Sequence, residues 1–285
     1  MQGLSSPADV AAAAQLACLL EASAPKPGNV APERHFRDTR YEDFLASAVA
    51  IGPALSTAGS RPLGEVIQAA AEATARWARA NTNLGIILLL APLARAAVRP
   101  GGTLRDRVRG VLSETTVDDA AAVYAAIRLA RPGGLGRADV EDVAAAPTVT
   151  LRQAMALAAE RDAVAREYVT DFATTFEVGA PALRAARADG LAWSDATVEA
   201  FLALLGTGPD THIARKLGAD AAAAVSRRAR QVTATGGVRQ AAGREALARL
   251  DAELRDPTNS RNPGTTADLT CAALFVVILE GGWDR

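Results

Sequence analysis

The chain contains few cysteines, few histidines and few aromatic residues. Two cysteines and two histidines occur among its 285 residues, and aromatic side chains make up 4% of the sequence. Cys18 and Cys271 each lie in an apolar helical context, which favours buried thiols in a reducing compartment over a disulfide or a metal site. With only His35 and His212 available, the sequence supports neither a zinc cluster nor a serine–histidine–aspartate site.

The sequence also lacks an excess of charge and a long hydrophobic run. Its formal net charge is −1, which argues against a nucleic-acid-binding surface. The most apolar run, Leu84 to Leu93, is too short to span a bilayer and contains Pro92. The segment from Met1 to Val10 has neither the basic start nor the apolar core of a signal peptide. We therefore expect a cytoplasmic protein that binds neither nucleic acid nor membranes.

Helix formers dominate what is present, whereas clusters of β-branched residues are few. No Walker A sequence occurs, and no Rossmann glycine fingerprint follows a strand. The pattern predicts an all-α fold, a single globular domain of roughly a dozen helices that spans residues 1–285. Within it we expect one long helix or two abutting ones over Thr150–Phe176, and a helix from Asp210 to about Arg230. The glycine-rich segment Pro132–Gly136 reads as a mobile loop.

Four polar turns interrupt the alanine- and leucine-rich chain. They are Lys26-Pro27-Gly28-Asn29, Asn81-Thr82-Asn83, Asp210-Thr211-His212 with Arg215 and Lys216, and Asn262 to Asp268. Three of them lie at predicted helix N-termini, where unpaired N–H groups and the helix dipole can hold an anion. The ordinary alternative is that they cap helices and carry solvated charges. If they converge, they supply amides, cations and carboxylates that suit a polyphosphate with a divalent metal.

Three side chains near these turns bear on the chemistry. Asp268 lies one turn into the last predicted helix, where a carboxylate repels a bare phosphate unless a metal ion or a sugar hydroxyl lies between them. Glu21 lies at the end of an apolar helix, where its charge opposes the helix dipole, so it is a candidate base or metal ligand. We interpret His212 as a surface or capping histidine rather than an acid–base group.

Taken in order, the four turns resemble the motifs of the triphosphoribosyl-dephospho-CoA synthases, an all-α family. Glu21 with Lys26-Pro27-Gly28 resembles the family's Glu…Lys-Pro-Gly element, and Asn81-Thr82 with Gly85 resembles its Asn-Thr-His-(Lys/Arg)-Gly. Asp210-Thr211 with Arg215 resembles Asp-Thr-Asn…Arg, and Pro263-Gly264 with Ala267-Asp268-Leu269 resembles Ser-Pro-Gly-Gly-Ser-Ala-Asp-Leu. Each motif is weak alone, but the resemblance covers most of the chain.

The resemblance implies a Mg²⁺-dependent transfer of the triphosphoribosyl group of ATP to the 2′-hydroxyl of 3′-dephospho-CoA, with release of adenine. The transition state of such a glycosyl transfer resembles an oxocarbenium ion. By resemblance, Glu21, Asp210 and Asp268 are catalytic, with Glu21 as general base, and Asp210 and Asp268 also bind Mg²⁺. The residues expected to bind phosphate and nucleotide are Lys26, Gly28, Asn29, Asn81, Thr82, Asn83, Thr211, Arg215, Lys216, Gly264, Thr265 and Thr266.

The chain departs from the family pattern in ways that keep other functions open. Asn83-Leu84 stands where the family has His-(Lys/Arg), so one cation and one titratable group are missing; His212 and Thr265-Thr266 also differ. In this the chain is similar to a branch met in archaea and methylotrophic bacteria. A second hypothesis is therefore a transferase that makes a C1-carrier cofactor, tetrahydromethanopterin or methylofuran, from another phosphorylated donor and a C1-cofactor precursor. A third is a non-catalytic nucleotide-binding helical protein. Assembly as a homodimer is left open.

Overall fold

The structure is a computed structural model, in which residues 6–283 are described. Over this range it contains fifteen α-helices: α1 (Pro7–Ser23), α2 (Tyr41–Ala50), α3 (Gly52–Leu55), α4 (Leu63–Ala75), α5 (Leu84–Ala97), α6 (Leu104–Ser113), α7 (Val117–Ala130), α8 (Leu151–Ala158), α9 (Ala163–Val169), α10 (Ala180–Ala188), α11 (Trp193–Thr207), α12 (Thr211–Leu217), α13 (Ala219–Ala234), α14 (Ala241–Leu254) and α15 (Gly264–Leu279). A π-helical turn, Thr175–Gly179, precedes α10, and a 3-10 turn, Gly237–Arg239, precedes α14. The described residues contain no strand, only an isolated bridge between Ala31 and Arg34. The predicted all-α class is confirmed.

Two apolar clusters form the core of this single all-α domain. The larger one joins α1 to α10, part of α11 and most of α15, and the smaller one joins α11 to α14 and includes Ala267 of α15. No helix within residues 6–283 combines the length and the apolar character needed to cross a bilayer. The predicted extent of the domain, 1–285, includes residues 1–5 and 284–285, which lie outside the described range.

Helix α15 lies at the centre of the domain. Every residue from 269 to 279 is buried, so the helix is apolar on all sides. Such a helix is stable only when other elements surround it. It packs against α1, α5 and α11. Its N-terminal turn, which is polar, is therefore placed inside the protein beside the ends of other helices.

Helices α4 and α7 pack side by side and run in the same direction. The Gly64 N–H donates to Asp119 Oδ1 at 2.7 Å, and a Cβ at Gly64 would collide with the backbone of Asp119, so the two N-termini touch. The helices have 13 and 14 residues, so they are nearly equal in length. Their C-terminal ends, Ala75 and Ala130, therefore reach the same place and line one cavity beside the start of α5.

Two predicted helices are divided in the structure. The helix expected from Asp210 to Arg230 breaks into α12 and α13 at Gly218, whose φ of 88° does not continue a right-handed helix. Over Thr150–Phe176, Asp162 caps a new helix, α9, with its side chain. That helix ends before Asp171 and Phe172, which both have positive φ. The alternative of separate helices therefore describes this segment better than one long helix.

Candidate active site

The four polar turns meet around the first turn of α15. Asn29 Nδ2 donates to Asn262 Oδ1 at 3.0 Å, which joins the first turn to the last. Asp210 accepts a hydrogen bond of 2.7 Å from a backbone N–H in the first turn of α15, which joins the third turn to the last. Gly85 follows the second turn and lies so close to Asp268 that a Cβ there would overlap the carboxylate. Segments far apart in the sequence thus form one polar region.

A main cavity of about 630 Å³ opens at this region. That volume falls within the ~300–1,000 Å³ typical of small-molecule sites. The predicted site residues that line it are Glu21, Asn29, Asn81, Thr82, Asn83, Lys216, Gly264 and Asp268. The other predicted site residues do not line it, and the reason differs from one to the next.

Lys26 is fully buried and forms an ion pair with Glu21. Its side chain is 0% exposed, and its ammonium lies 3.0 Å from the Glu21 carboxylate. It also donates to the backbone oxygens of Glu21 and Ala24 at the end of α1. Burial raises the pKa of Glu21, and Lys26 lowers it in part. The prediction that Lys26 binds phosphate is corrected, because the structure turns its ammonium away from the cavity and onto α1.

Asp210 caps two helices at once. Its Oδ1 accepts from the N–H groups of His212 and Ile213 at 2.9 and 3.1 Å, at the start of α12. Its Oδ2 accepts from the N–H and the hydroxyl of Thr266 at 2.7 Å each, at the start of α15. A carboxylate offers about four acceptor sites, and all are occupied here. Burial raises the pKa of Asp210, and these hydrogen bonds offset part of that rise. The predicted sharing of Mg²⁺ between Asp210 and Asp268 is therefore corrected.

Asp268 has no such partners. It is half-buried in the cavity wall, and its carboxylate makes no hydrogen bond or ion pair with any other residue of the described range 6–283. Burial raises its pKa well above the usual value; the carboxylates of Glu21, Asp210 and Asp162 raise it further, and Arg215 lowers it. An unpartnered carboxylate among other carboxylates is a place where a cation binds favourably.

His212 lies in the cavity wall rather than at the surface. A Cβ added at Gly264 would lie 3.3 Å from its ring, so the imidazole packs directly on the start of α15. Burial, followed by the charges of Lys216 and Arg215, lowers the pKa of His212 to about 3. The ring is therefore neutral at physiological pH, and it contributes no positive charge to the site.

The threonines of the third and fourth turns fasten α12 to α15. Thr211 Oγ1 donates to Thr265 Oγ1 at 3.0 Å and accepts from the Ala163 N–H at 3.3 Å. Thr211, Thr265 and Thr266 are all buried behind the cavity wall. Their predicted role as direct phosphate ligands is corrected, since their hydroxyls are used to join helices.

Two further predicted ligands also point elsewhere. Arg215 forms an ion pair with Asp162, with Nη1 2.7 Å from Oδ2. Gly28, at a φ of 70°, donates its N–H to Asp251 Oδ1 at 2.8 Å and lines a separate cavity of about 170 Å³. The sequence pattern around each residue is that of a ligand-binding turn, but both groups are committed to carboxylates of the protein.

The second turn remains at the cavity. Thr82 exchanges a hydrogen bond of 2.6 Å with the Ser47 hydroxyl, and the Asn83 amide donates to the Ser47 carbonyl at 3.5 Å. Asn81 is exposed, and its Oδ1 accepts from the Leu84 N–H at 3.0 Å at the start of α5. The turn is therefore held rigidly on α2, and the amide group of Asn81 lies at the cavity entrance.

Sequence reasoning missed two arginines that line the main cavity, Arg79 and Arg131. Both are exposed, and neither belongs to a motif. The available signal was positional: Arg79 lies two residues before Asn81, and Arg131 is followed directly by the glycine-rich loop. Arginines at such places are usually solvated, so nothing in the sequence singles them out as ligands.

The donor groups fit a metal ion that arrives with a nucleotide. No group of three or more His, Cys, Asp or Glu side chains within residues 6–283 is arranged to hold a metal by itself. Mg²⁺ is commonly held by one or two carboxylates, with substrate phosphates and water completing its shell. Asp268 can supply one such carboxylate, because it has no partner of its own and lies near other carboxylates.

The fold and the cavity together define a class: an all-α protein with buried carboxylates at the base of a polar cavity that is large enough for a nucleotide. The sequence model of the ATP:dephospho-CoA triphosphoribosyl transferase (CitG) family matches residues 7–285. The chain belongs to this family of transferases.

Individual relatives agree with that membership. A protein from Pseudomonas savastanoi pv. phaseolicola, named a probable 2-(5''-triphosphoribosyl)-3'-dephosphocoenzyme-A synthase, is 35% identical over 105 residues, which are 37% of this chain and 35% of the relative. A synthase of the same name from Klebsiella pneumoniae is 36% identical over 101 residues, 35% of each chain. The matched part thus spans about a third of these curated relatives.

A crystal structure from Archaeoglobus fulgidus extends the likeness to most of the fold. That protein, assigned as a triphosphoribosyl-dephospho-CoA synthase, superimposes with a TM-score of 0.65 at 28% identity. The match covers 83% of this chain and 99% of that one.

Proposed function

We propose that the protein transfers the triphosphoribosyl group of ATP to the 2′-hydroxyl of 3′-dephospho-CoA, releases adenine and requires Mg²⁺. Family membership supports the reaction class. The observation that carries the proposal is the Asp268 carboxylate, which lies at the base of a nucleotide-sized cavity without a partner from the described chain. The reaction develops positive charge at the ribose, and this carboxylate can stabilise it.

In this proposal the carboxylates of Asp268 and Glu21 have different catalytic roles. The bond between ribose C1 and adenine breaks with its electrons going to adenine, and C1 gains a bond to the 2′-oxygen of the acceptor. Asp268 faces the positive charge at C1 as the first bond weakens. Glu21 takes the proton of the attacking hydroxyl, and its raised pKa suits that role as general base. Lys26 keeps Glu21 oriented and ionisable.

Mg²⁺ would be held by Asp268 together with phosphate oxygens of the nucleotide. When bound, it neutralises part of the phosphate charge. Asn29, Asn81 and Asn83 lie along the cavity and would orient the nucleotide. Asn29 is itself held by Asn262, so its amide position is fixed before any ligand binds.

The test is the release of adenine from ATP, followed by chromatography, with and without 3′-dephospho-CoA. We expect release only when both substrates and Mg²⁺ are present. Asp268→Asn should lower the rate by at least about 100-fold, as removal of one transition-state-stabilising group typically does. Asp220→Asn, at an exposed aspartate of α13, is the matched control and should leave the rate unchanged. A folded wild-type protein that releases no adenine would contradict the proposal.

One observation favours a second candidate, a related transferase that builds a C1-carrier cofactor from another phosphorylated donor. The start of α5 offers no cation to the cavity, because Asn83 and Leu84 are both buried there and neither is charged. Mass spectrometry of ligands that remain bound through purification would distinguish the two. A C1-cofactor precursor would support the second candidate, and ATP or dephospho-CoA the first. The non-catalytic hypothesis is disfavoured by membership in a family of transferases.

A further inference from the structure

Two of the three cations that line the main cavity belong to none of the motifs. Arg79, Arg131 and Lys216 line it, and all three are exposed. Lys216 donates to the Asn259 carbonyl at 3.2 Å. The side chains of Arg79 and Arg131 make no hydrogen bond or ion pair with any residue in the described part of the chain, so their guanidinium groups are available to a ligand.

The fold places both arginines in the lining of one cavity. Arg131 is the C-cap of α7, and Arg79 lies four residues beyond the end of α4. Because α4 and α7 run in parallel from touching N-termini, their ends reach the same side of the cavity. Two helix C-termini present negative dipole ends and free carbonyls there, and a cation at each end offsets that charge. Without the arginines, this side of the cavity would repel an anion.

The backbone at Arg131 adds an independent observation. Its φ is 47° and its ψ is 56°, the left-handed conformation that ends many helices. Glycine is the usual residue there, and a residue with a Cβ costs roughly 1 kcal/mol or more in that conformation. Glycines follow two and three residues later, in Gly133 and Gly134, yet the capping position itself carries an arginine whose side chain lines the cavity.

The charges of the cavity are arranged along its depth. The exposed entrance carries three cations, Arg79, Arg131 and Lys216, and one carboxylate, Asp38, whereas the base carries the carboxylates of Glu21, which is buried, and Asp268, which is half-buried. A chain of phosphates is attracted to the entrance and repelled by the base, so a nucleotide enters with its sugar deepest.

We infer that Arg79 and Arg131 bind the phosphates of a nucleoside polyphosphate at the entrance of the main cavity, and so set the orientation of the donor. The placement of the ribose at the base rests on the proposed function; the binding of a polyphosphate by the two arginines does not. Guanidinium groups suit this task because they donate two parallel hydrogen bonds to phosphate oxygens.

The test is isothermal titration with inorganic tripolyphosphate, using Arg79→Gln and Arg131→Gln. Each substitution should raise Kd by about tenfold or more, since a hydrogen bond to a charged group contributes about that much. Arg76→Gln is the matched control, because Arg76 is an exposed arginine at the end of α4 that does not line the cavity. The inference would be overturned if Arg79→Gln and Arg131→Gln both bound tripolyphosphate with the same Kd as the Arg76→Gln protein.

Arg131→Gly separates a binding role from a structural one. Glycine relieves the left-handed backbone, so this variant should unfold at the same or a higher temperature than wild type. It should nevertheless lose tripolyphosphate binding to the same extent as Arg131→Gln. A stabilised variant that still binds tripolyphosphate with the wild-type Kd would show that Arg131 does not contact phosphate.

The adenine assay keeps this inference distinct from the proposed reaction. If the arginine variants lose tripolyphosphate binding while wild type releases no adenine, the polyphosphate site stands and the proposed reaction fails. If wild type releases adenine and the variants keep the wild-type KM for ATP, the reaction stands and the arginine assignment fails.

Discussion

Three carboxylates lie near the start of α15, and each has a different set of partners. Glu21 forms an ion pair with Lys26 at 3.0 Å. Asp210 accepts four hydrogen bonds from the starts of two helices. Asp268 has no hydrogen-bond partner among residues 6–283, and burial and its acidic neighbours raise its pKa well above the usual value. At the scale of residues, the fold therefore compensates two of the charges and leaves the third for a ligand.

Asp268→Asn should stabilise the protein at alkaline pH while it removes activity. Because the folded-state pKa of Asp268 lies above its usual value of 3.8, the folded protein holds a proton that the unfolded chain has lost. Wild type therefore loses stability as the pH rises from about 4 through the raised folded-state pKa. Asparagine carries no charge and avoids this loss.

Thermal unfolding of the ligand-free proteins from pH 4 to pH 8 tests this pH-dependent difference in stability. The Tm difference between Asp268→Asn and wild type should be smallest at pH 4 and should grow in favour of the variant as the pH rises. A variant that is equally or more destabilised at pH 8 than at pH 4 would show that Asp268 has stabilising partners in the folded protein.

Lys26→Met should destabilise the fold rather than weaken nucleotide binding alone. It leaves the Glu21 carboxylate buried without its cation, and breaking a buried ion pair in this way costs about 3–5 kcal/mol. Glu21→Gln combined with Lys26→Met should recover most of the loss, since no buried charge then remains. Urea denaturation measures both. If Lys26→Met kept wild-type stability and raised only the KM for ATP, the ammonium would be acting on phosphate after all.

At the scale of elements, the site depends on how the starts of helices meet. The Asp210 carboxylate accepts hydrogen bonds from the first turns of both α12 and α15, and so joins the two helix starts. The first turn of α5 approaches α15 so closely that only a glycine fits at Gly85 beside the Asp268 carboxylate. Helix α15 is buried along its apolar length, so these contacts are made at a fixed depth in the protein. Small changes at the helix starts should therefore move the carboxylate.

Gly85→Ala should lower the rate of adenine release by at least about tenfold, because the added methyl group displaces the Asp268 carboxylate and a small misplacement of a catalytic group has a large effect. Gly110→Ala, in α6, is the matched control: its Cβ would meet only the Arg99 side chain at 3.8 Å. The control should be active and slightly more stable, by up to about 1 kcal/mol, from helix propensity. Equal activity of the two alanine variants would show that the close approach of α5 does not position Asp268.

At the scale of the whole molecule, the order of the helices and polar turns could be predicted from the sequence. The directions of the side chains could not. The sequence Lys26-Pro27-Gly28 is the same whether the Lys26 ammonium faces a bound ligand or, as in this structure, the buried carboxylate of Glu21. Arg79 and Arg131 carry no motif, and they become neighbours of one cavity only because α4 and α7 run in parallel. Directions and neighbours of this kind arise from packing, which a local pattern does not record.

The proposed function depends on the separation of charge along the cavity, with a net positive entrance and carboxylates at the base. The structure of the protein in complex with ATP and Mg²⁺ tests it most directly. We predict that the phosphates lie within hydrogen-bonding distance of Arg79 and Arg131 and that the ribose faces Asp268. Terminal phosphates bound at the base beside Asp268, with the adenosine at the entrance, or phosphates bound outside the main cavity, would contradict it.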